Sequence, residues 1–359
     1  MAQIRRGCGC AVAALIIFLI LAGVIGWFFI KPQWEEWKAK RLPPASGKEL
    51  RVHVLDVGQG DAILIIAPSG KTALVDAGVP GSGKKIIDAM RRHGADGIDL
   101  MIATHAHADH IGAADEVIRA ASVKNVLDSR VPNTTKNYQD FLAAIDERGV
   151  TYIGAEPGQT FDLGDGAVIS VLAPIQPLFT KDQLRSGGNE PNANSVVTRL
   201  DYGKFSMLLT GDAEAQTEER MMGKGANVTA DVLKVGHHGS RYASSEEFLR
   251  RGRFKAAIIS TSADNRYGHP NQEVLDRLRA AGVQLYRTDL QGEITITTLG
   301  EDDYQISAAR EPTEDMWAGR VAQKDDSARS GFVAYGDFGP APKPKREQNA
   351  PARKAAGAR

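Results

Sequence analysis

Short apolar runs alternate with longer amphipathic segments over the central part of the chain, from residue 50 to about residue 307. Short apolar runs bounded by glycine are typical of β-strands, whereas apolar residues at every third or fourth position are typical of helices. The first three runs predict a meander of strands, and predicted helices separate most of the later strands. This pattern predicts a mixed α/β domain in which sheets are stacked between helical layers.

The boundaries of the predicted elements follow from the same pattern. Strands are expected at 52–57, 62–67, 72–75, 100–104, 123–127, 168–173, 195–200, 205–210, 231–235 and 256–261. Helices are expected at 83–94, from about 112, and at 136–148, 215–222, 245–250 and 272–281. Residues 285–298 resemble a hairpin that completes the domain, which we place at 49–308.

Residues 11–30 form an uninterrupted stretch of twenty uncharged residues, rich in Leu, Ile, Val and Phe. As a helix this stretch would span about 30 Å, the thickness of the hydrocarbon core of a bilayer. A cleaved signal peptide is the alternative, although its apolar region is usually only about 7–15 residues long. We therefore predict an N-terminal transmembrane helix within residues 1–30 and a single-pass protein, with a charged linker at 31–48. Basic residues flank the stretch on both sides, so they do not decide its orientation.

The last part of the chain, residues 309–359, loses the apolar periodicity and becomes rich in Pro, Ala, Gly and charge. This composition predicts a disordered basic tail, which either attracts nucleic acid or anionic lipid or only improves solubility. The formal net charge of the chain is zero, so no overall field favours a nucleic-acid partner. Cys8 and Cys10 are the only cysteines and precede the apolar stretch, which excludes disulfides and cysteine zinc ligands from the domain.

The most concentrated chemistry of the chain directly follows the apolar run at 100–104, as His105-Ala-His107-Ala-Asp109-His110. Histidine nitrogen and aspartate oxygen are ligands of zinc and related cations. His105 and His107 are two residues apart and can share one ion, while Asp109 and His110 can reach a second. Paired hydrolytic metals lie about 3.5–4 Å apart, which such a turn can span.

Two later segments can supply the remaining ligands. Asp212 follows a predicted buried strand, where an ionised carboxylate is costly unless it is paired or metal-bound, so we expect it to bridge two cations. The next strand runs into Gly236-His237-His238-Gly239-Ser240, in which one histidine is expected to be a ligand. We favour His237 because it leaves the strand first, and His238 then either supports a ligand through a hydrogen bond or contacts substrate.

Other polar residues near these segments are candidates for supporting roles. His269 is either a proton donor to a leaving group or an ordinary histidine at a helix start. Lys234, Ser240 and Ser244 either bind a phosphate oxygen or are plain surface residues. Asp76 is expected to brace the metal-ligand loop through hydrogen bonds, and Asp56, Gln59 and Asp61 to shape a loop near the site.

These residues resemble the metallo-β-lactamase-fold hydrolases and, more narrowly, the soluble domain of the ComEC competence and DNA-uptake proteins. The resemblance covers roughly residues 50–300 and rests on an ordered set of motifs at 55–62, 74–78, 104–112, 192–195, 209–212 and 233–240. It implies an α/β fold, a four-layer αββα metallo-β-lactamase sandwich, with two metals at one edge of the sheets. It also implies that His105 and His107 bind one metal, that Asp109, His110 and His237 bind the other, and that Asp212 bridges them.

The sequence departs from the pattern of the wider superfamily at one position. Residues 111–211 contain no histidine, and Asn194, followed by Ser195, stands where that superfamily usually supplies one. We also count Asn194 as a candidate substrate contact. An amide is a weaker ligand than imidazole, so the resemblance leaves the two divalent ions open between Zn²⁺ and Mn²⁺.

The function implied is a membrane-anchored, binuclear metal-dependent hydrolase, expected to be a phosphodiesterase or nuclease acting on DNA. Two cations would supply hydroxide near neutral pH and neutralise the charge of the transition state, with Asp109 orienting the attacking water. The alternatives are a hydrolase of another ester (phosphorylcholine, a cell-wall phosphodiester, an acyl ester or a lactone) and a non-catalytic DNA-binding component. The expected location is the bacterial inner membrane, with the catalytic domain outside the cytoplasm.

Overall fold

The computed structural model describes residues 48–184 and 190–322. The predicted membrane anchor and the final part of the predicted tail lie outside these residues. Within the described part of the chain, no helix is both long enough and apolar enough to span a bilayer.

The strands of the described residues form two sheets. They are β1 (Leu50–Val54), β2 (Ile63–Ile66), β3 (Thr72–Val75), β4 (Ile98–Ala103), β5 (Val123–Asp128), β6 (Thr151–Gly154), β7 (Thr160–Gly164), β8 (Ala167–Ala173), β9 (Val197–Tyr202), β10 (Phe205–Leu209), β11 (Val232–Lys234), β12 (Ala256–Ile259), β13 (Gln284–Arg287), β14 (Ile294–Thr298) and β15 (Gln305–Ala308). The first sheet has eight strands in the order β15-β14-β1-β2-β3-β4-β5-β6, and the second has seven in the order β13-β12-β11-β10-β9-β8-β7.

Helices follow or separate the strands of both sheets. They are α1 (Gly83–His93), α2 (Ala114–Ala120), α3 (Lys136–Arg148), α4 (Glu190–Ala193), α5 (Ala215–Gly223), α6 (Glu246–Gly252), α7 (Gln272–Ala280) and α8 (Thr288–Gln291). α1 and α3 each end at a glycine in the left-handed region, Gly94 and Gly149, which a residue without a Cβ adopts at no steric cost.

Three apolar clusters hold the layers together. The central cluster joins the facing sides of the two sheets and contains Val52 and Ile102 of the first sheet and Met207 and Ile258 of the second. A second cluster packs α1, α2 and α3 onto the outer side of the first sheet, and a third packs α5, α6 and α7 onto the second. The layers are therefore helices, sheet, sheet and helices, which confirms the predicted two-sheet α/β sandwich.

The predicted hairpin at 285–298 is wrong. β13 pairs in parallel with β12 in the second sheet, whereas β14 pairs with β1 in the first. The short helix α8 and Gly292 carry the chain from one sheet to the other. Both strands alternate apolar and polar residues and lie close together in sequence, so their pattern alone does not show that they join different sheets.

The folded body continues to residue 322, beyond residue 308 where the sequence analysis ended it. The fully buried Arg287 connects this extension to the domain. Its guanidinium donates two hydrogen bonds to Asp289 and two more to the carbonyl oxygens of Met316 and Ala318. Arg320 also pairs with Asp289, and Met316 and Trp317 pack against the third apolar cluster, so both charge and apolar contact attach the segment after β15.

Candidate metal centre

The candidate ligands come from loops at one edge of both sheets. β3 and β4 are parallel, as are β10 and β11, so in each sheet the carboxyl ends of the two strands lie at the same edge. Residues 104–112 follow β4, and Asp212 and the segment Gly236–Gly239 follow β10 and β11. Candidate metal ligands from distant parts of the chain therefore meet where the two sheets end.

The first ligand group consists of His105, His107 and Asp212, whose ligand atoms all lie within 4.8 Å of one another. His105 Nε2 lies 2.9 Å from His107 Nδ1 and 3.6 Å from Asp212 Oδ2. His105 is buried, and its other ring nitrogen faces the hydroxyls of Thr104 and Ser195. Its Nε2 is therefore the nitrogen directed at the group.

The second ligand group consists of Asp109, His110 and His238, with ligand atoms within the same 4.8 Å limit. His110 Nε2 and His238 Nε2 are 3.1 Å apart, and Asp109 Oδ2 lies 3.5 Å from His238 Nε2. Asp212 also reaches this group, because its Oδ1 lies 3.1 Å from His110 Nε2 and 3.6 Å from His238 Nε2. The two oxygens of Asp212 therefore face different groups, as a bridging carboxylate requires.

The hydrogen bonds behind the rings show why this arrangement fits a cation. His238 Nδ1 lies 2.9 Å from the Ser260 carbonyl oxygen, which can only accept, so Nδ1 carries the proton. His110 Nδ1 lies 2.7 Å from Asp76 Oδ2. When the rings of His110 and His238 are neutral, their Nε2 atoms therefore present lone pairs to each other and to Asp212 Oδ1. This oxygen is buried and accepts no hydrogen bond. A divalent cation satisfies all three atoms, so the residues present fit a metal.

Electrostatics of the cluster agree with this conclusion. Burial favours the neutral ring of His110, but the carboxylates of Asp212 and Asp76 together raise its pKa well above the usual value. Burial alone would raise the pKa of Asp212, yet the neighbouring His110, His237 and His238 lower it well below the usual value. The pocket therefore favours positive charge beside an ionised Asp212, the role that a bound cation would take over.

Asp76 braces the ligand loop, as predicted. It lies just after β3 with a positive φ of 59°, and its carboxylate accepts hydrogen bonds from the backbone N–H and the hydroxyl of Thr104 at 2.8 and 2.7 Å. The same carboxylate faces His110 Nδ1. It thereby orients His110 and holds the start of the loop that carries four candidate ligands.

The structure exchanges the expected positions of the two adjacent histidines. His237 and His238 both have positive φ, 49° and 52°, and this left-handed turn directs the His238 ring inward and the His237 ring outward. The His238 side chain is 1% exposed and the His237 side chain is 20% exposed. His237 Nε2 still lies 3.7 Å from Asp212 Oδ2, but His238 occupies the place beside Asp109 and His110 where His237 was expected. That one of these two histidines is a metal ligand stays a prediction, and the structure favours His238 in place of His237.

Three candidate substrate contacts are engaged in hydrogen bonds or ion pairs with other parts of the protein. Asn194 makes hydrogen bonds with the backbone of Phe179 and Glu190, so it braces a loop and does not replace the missing histidine. Lys234 is buried, and its Nζ lies 2.8 Å from Asp61 Oδ2, which excludes a plain surface role and keeps the amine from the open side of the site. Ser240 is also buried, and its hydroxyl accepts the backbone N–H of Tyr242.

His269 lies beside the centre rather than in either ligand group. Its ring packs edge-on against His237 with 5.4 Å between centroids and stacks on Tyr267. Burial, together with the charges of His237 and His238, lowers the pKa of His269 to about 3. A ring that is neutral at neutral pH does not favour the expected role as a proton donor.

Glu214 is not singled out by the sequence, and Asn192 and Ser195 belong to the motif at 192–195 without an assigned role at the site. The Asn192 amide lies 3.3 Å from His237 Nε2, and Glu214 Oε1 lies 3.6 Å from His237 Nδ1. The Ser195 hydroxyl accepts the backbone N–H of Asp212 and contacts His105. The motif at 192–195 marks this segment of the chain, but the contacts of its side chains and the position of Glu214 follow from the path of the backbone around the site.

Comparison with known proteins identifies the fold family. The profile of the metallo-beta-lactamase superfamily matches residues 55–174. The chain is 32% identical over 268 residues to ComE operon protein 3 of Bacillus subtilis (strain 168), covering 70% of this chain and 33% of that protein. It is 31% identical over 268 residues to Recombination protein 2 of Haemophilus influenzae, covering 72% and 30%. It is 29% identical over 250 residues to Competence protein ComA of Neisseria gonorrhoeae, covering 68% and 32%.

The chain spans about a third of the length of these relatives. Within the chain, the matched residues 55–174 include the complete run from His105 to His110. The two sheets and the His/Asp groups at their edge agree with that match. The chain therefore carries a metallo-β-lactamase domain, of a superfamily whose members are generally metal-dependent hydrolases, and it is similar to competence proteins of the ComEC family.

Proposed function

We propose that this protein is a binuclear metal-dependent phosphodiesterase that acts on DNA. The observation that carries the proposal is Asp212, whose two carboxylate oxygens face two separate His/Asp groups. Paired cations about 3.5–4 Å apart are suited to phosphodiester hydrolysis because they stabilise both the attacking and the leaving oxygen. The names of two relatives, Recombination protein 2 and Competence protein ComA, refer to recombination and competence and favour DNA among phosphodiesters.

The proposed ligands divide between the ions as the two groups do. His105, His107 and Asp212 would hold one ion, and Asp109, His110, His238 and Asp212 the other. Divalent cations there, Zn²⁺ or Mn²⁺, would supply Lewis-acid charge and make water available as a nucleophile near neutral pH. The second group has more ligands than the first, so we expect it to bind its ion more tightly.

Asp109 is the member of the groups suited to orient a water. Its side chain is partly exposed, whereas those of His110 and His238 are buried. The charges and hydrogen bonds of His238 and His110 outweigh the effect of burial and lower the pKa of Asp109. An ionised Asp109 at the open side of the site can accept a hydrogen bond from an incoming water and orient that water.

The surface next to the site supports a nucleic-acid substrate. Tyr242 and Tyr267 are both about half exposed, and each directly follows an arginine. The Tyr267 ring stacks on His269, which contacts His237 and so connects this surface to Asp212. Exposed aromatic rings beside arginines are suited to stacking on unpaired bases while positive charge attracts phosphate.

The proposal is tested with the full-length chain in detergent, end-labelled single- and double-stranded oligonucleotides, and added Zn²⁺ or Mn²⁺. We expect metal-dependent cleavage that Asp212→Asn abolishes and that Asp140→Asn, a change of the same type on the exposed side of α3, retains. Tyr267→Ala is expected to raise KM for single strands more than it lowers kcat. Turnover of acyl esters or lactones without DNA cleavage would contradict DNA as the substrate and assign the enzyme to those esters instead. DNA binding by the metal-loaded protein without turnover on any ester would point to a non-catalytic component.

We further propose that residues 11–30 anchor the protein in the bacterial inner membrane, with the hydrolase domain outside the cytoplasm. The support is the uncharged stretch itself, which is long enough to span a bilayer. Membrane fractionation should place the full chain in the pellet, and replacing Leu15 and Leu19 by Arg should release it. A carboxyl-terminal alkaline phosphatase fusion should be active, and an inactive but stable fusion would reverse the orientation.

A further inference from the structure

A second cluster of metal-binding residues lies outside the candidate metal centre, between the first sheet and its helical layer. It consists of His53 on β1, His93 at the end of α1 and Glu293 just before β14. None of these residues belongs to either ligand group of the candidate centre. We call this cluster the His53 cluster.

The orientation of His53 is unusual for its environment. The neighbouring Val52 and Val54 belong to the central core between the sheets, so alternation along the strand directs His53 to the opposite face, where α1 packs. Around it, that face carries apolar residues, including Leu64 directly opposite on β2, while the hydroxyl of Thr295, directly opposite on β14, lies 3.0 Å from His53 Nδ1. His53 is buried, and its Nε2 has no hydrogen-bond partner. A buried histidine with an unpaired nitrogen is costly in such a layer unless it has a further role.

The distances within the His53 cluster match those of a metal site. Glu293 Oε1 lies 2.7 Å from His93 Nε2 and 3.4 Å from His53 Nδ1, and one ligand atom of each residue lies within 4.8 Å of the others. A tetrahedral zinc ion with bonds of about 2.0–2.1 Å places neighbouring ligand atoms about 3.3 Å apart. Two histidines and one carboxylate are also a common ligand set for zinc, which takes a water as its fourth ligand.

The two carboxylate oxygens of Glu293 have different partners. Arg92 Nη2 donates to Oε2 at 2.9 Å, while both histidines face Oε1. Arg92 therefore fixes the orientation of the carboxylate and leaves Oε1 for an ion. His93 and Glu293 are only partly buried, which leaves a path for the ion and for a water ligand.

One adjustment is needed for binding. The His53 and His93 rings are stacked, with 3.6 Å between centroids and 18° between planes, so their lone pairs do not yet converge. His93 is 22% exposed at the last position of α1 and can turn about its Cβ–Cγ bond, whereas His53 is enclosed. An ion bound through His53 Nδ1 would also replace the contact of that nitrogen with the Thr295 hydroxyl, so the adjustment involves the His93 ring and one hydrogen bond of His53.

We propose that the His53 cluster is a structural site for Zn²⁺ or a similar divalent transition metal. The ion would join the end of α1 to β1 and to the start of β14, three segments that are far apart in sequence. The proposal does not depend on the proposed hydrolase function, because it uses none of its residues.

The test is the number of zinc ions bound by the full-length protein after dialysis against buffered zinc, measured by mass spectrometry of the metal. We expect His93→Gln and Glu293→Gln each to bind one ion fewer than the wild type, with unchanged hydrolytic activity. Arg92→Gln is the matched control, since it removes a contact to Glu293 but no ligand, and it should retain the ion. As a second readout, zinc should protect His93 from diethyl pyrocarbonate in the wild type but not in Glu293→Gln.

Equal zinc counts in the wild type and in His93→Gln, at a zinc concentration that saturates the candidate centre, would overturn the proposal. Loss of an ion together with loss of hydrolysis in His93→Gln would also overturn it, because that ion would belong to the candidate centre. A failed hydrolase assay with an intact difference of one ion would instead reject the proposed function and leave the His53 cluster standing.

Discussion

Asp212 depends on its neighbours for its position as much as they depend on its charge. Its backbone N–H is held by the Ser195 hydroxyl, and the preceding Gly211 has a φ of 51° and packs against Thr104. Thr104 is in turn held by Asp76, which also orients His110. A short series of hydrogen bonds and contacts therefore links the bridging carboxylate to the residues behind the histidine ligands, so substitutions there should act on metal binding.

Asp76→Asn tests this connection. The amide cannot accept the hydrogen bonds of Thr104 and His110 as a carboxylate does, so His110 loses the partner that directs its Nε2 into the second group. We expect the affinity for the more tightly bound ion to fall about 10–100-fold, the usual effect of removing such a supporting residue. Isothermal titration with Zn²⁺ measures it. Asp140→Asn, which removes an exposed carboxylate paired with Lys136, should not change the affinity, and an unchanged affinity in Asp76→Asn would contradict the argument.

The exchange of His237 and His238 gives a second prediction at this scale. His238→Ala should lose the ion of the second group, because its Nε2 faces His110 and Asp212. His237→Ala should keep the full metal content, because the ring contacts Asn192, Glu214 and His269 at the edge of the site. The number of metal ions bound by each variant shows which of the two histidines is a ligand. The reverse result would restore His237 as the ligand expected from the sequence.

At the scale of elements, close backbone contacts bring the ligand loop to the meander. The Asp61 N–H donates to the Asp109 carbonyl oxygen at 3.1 Å, and Gly78 N donates to the Asp61 carbonyl oxygen at 2.7 Å. Gly60 lies against the same Asp109 carbonyl so closely that any Cβ there would overlap it. The turn after β1 thus fixes the position of the loop that carries Asp109 relative to the sheet. This close contact explains why position 60 is a glycine.

Gly60→Ala should therefore disturb the centre without removing a ligand. The added methyl group must push the Asp109 carbonyl away, and overpacking of this kind costs about 1–3 kcal/mol of unfolding free energy. We expect that loss in urea denaturation, together with weaker metal binding. Gly223→Ala at the end of α5 is the control, since a Cβ there meets nothing within 4 Å. A Gly60→Ala protein as stable as the control would show that the loop adapts freely.

At the scale of the whole molecule, the sequence predicts the layers better than the site. Periodicity predicted most strands and helices because each buries one face, and the density of histidines at 105–110 marked the metal loop. The sheet that each of β13 and β14 joins is decided by tertiary packing. The direction of His238, the burial of Lys234 and the bracing role of Asn194 depend on backbone handedness and on contacts between distant segments. These have no periodic signal in a single sequence.

The two sheets also meet through the candidate centre, which makes metal binding a property of the whole fold. His105, His107, Asp109 and His110 follow β4 of the first sheet, whereas Asp212 and His238 follow strands of the second. Ions held between them connect the sheets and bind the folded state only. At a metal concentration about 1,000 times the dissociation constant, such binding stabilises the fold by about 4 kcal/mol.

Chelation should therefore lower the melting temperature by on the order of 10 °C, given that 1 kcal/mol corresponds to about 2–4 °C in domains somewhat smaller than this one. Scanning calorimetry in the His93→Gln background, with and without EDTA, separates this effect from any ion at the His53 cluster. Adding Asp212→Asn should remove most of the response, because the carboxylate shared by both groups is lost. An equal response to EDTA with and without Asp212→Asn would mean that the stabilising metal is held elsewhere, and the link between the sheets would then rest on the central apolar core alone.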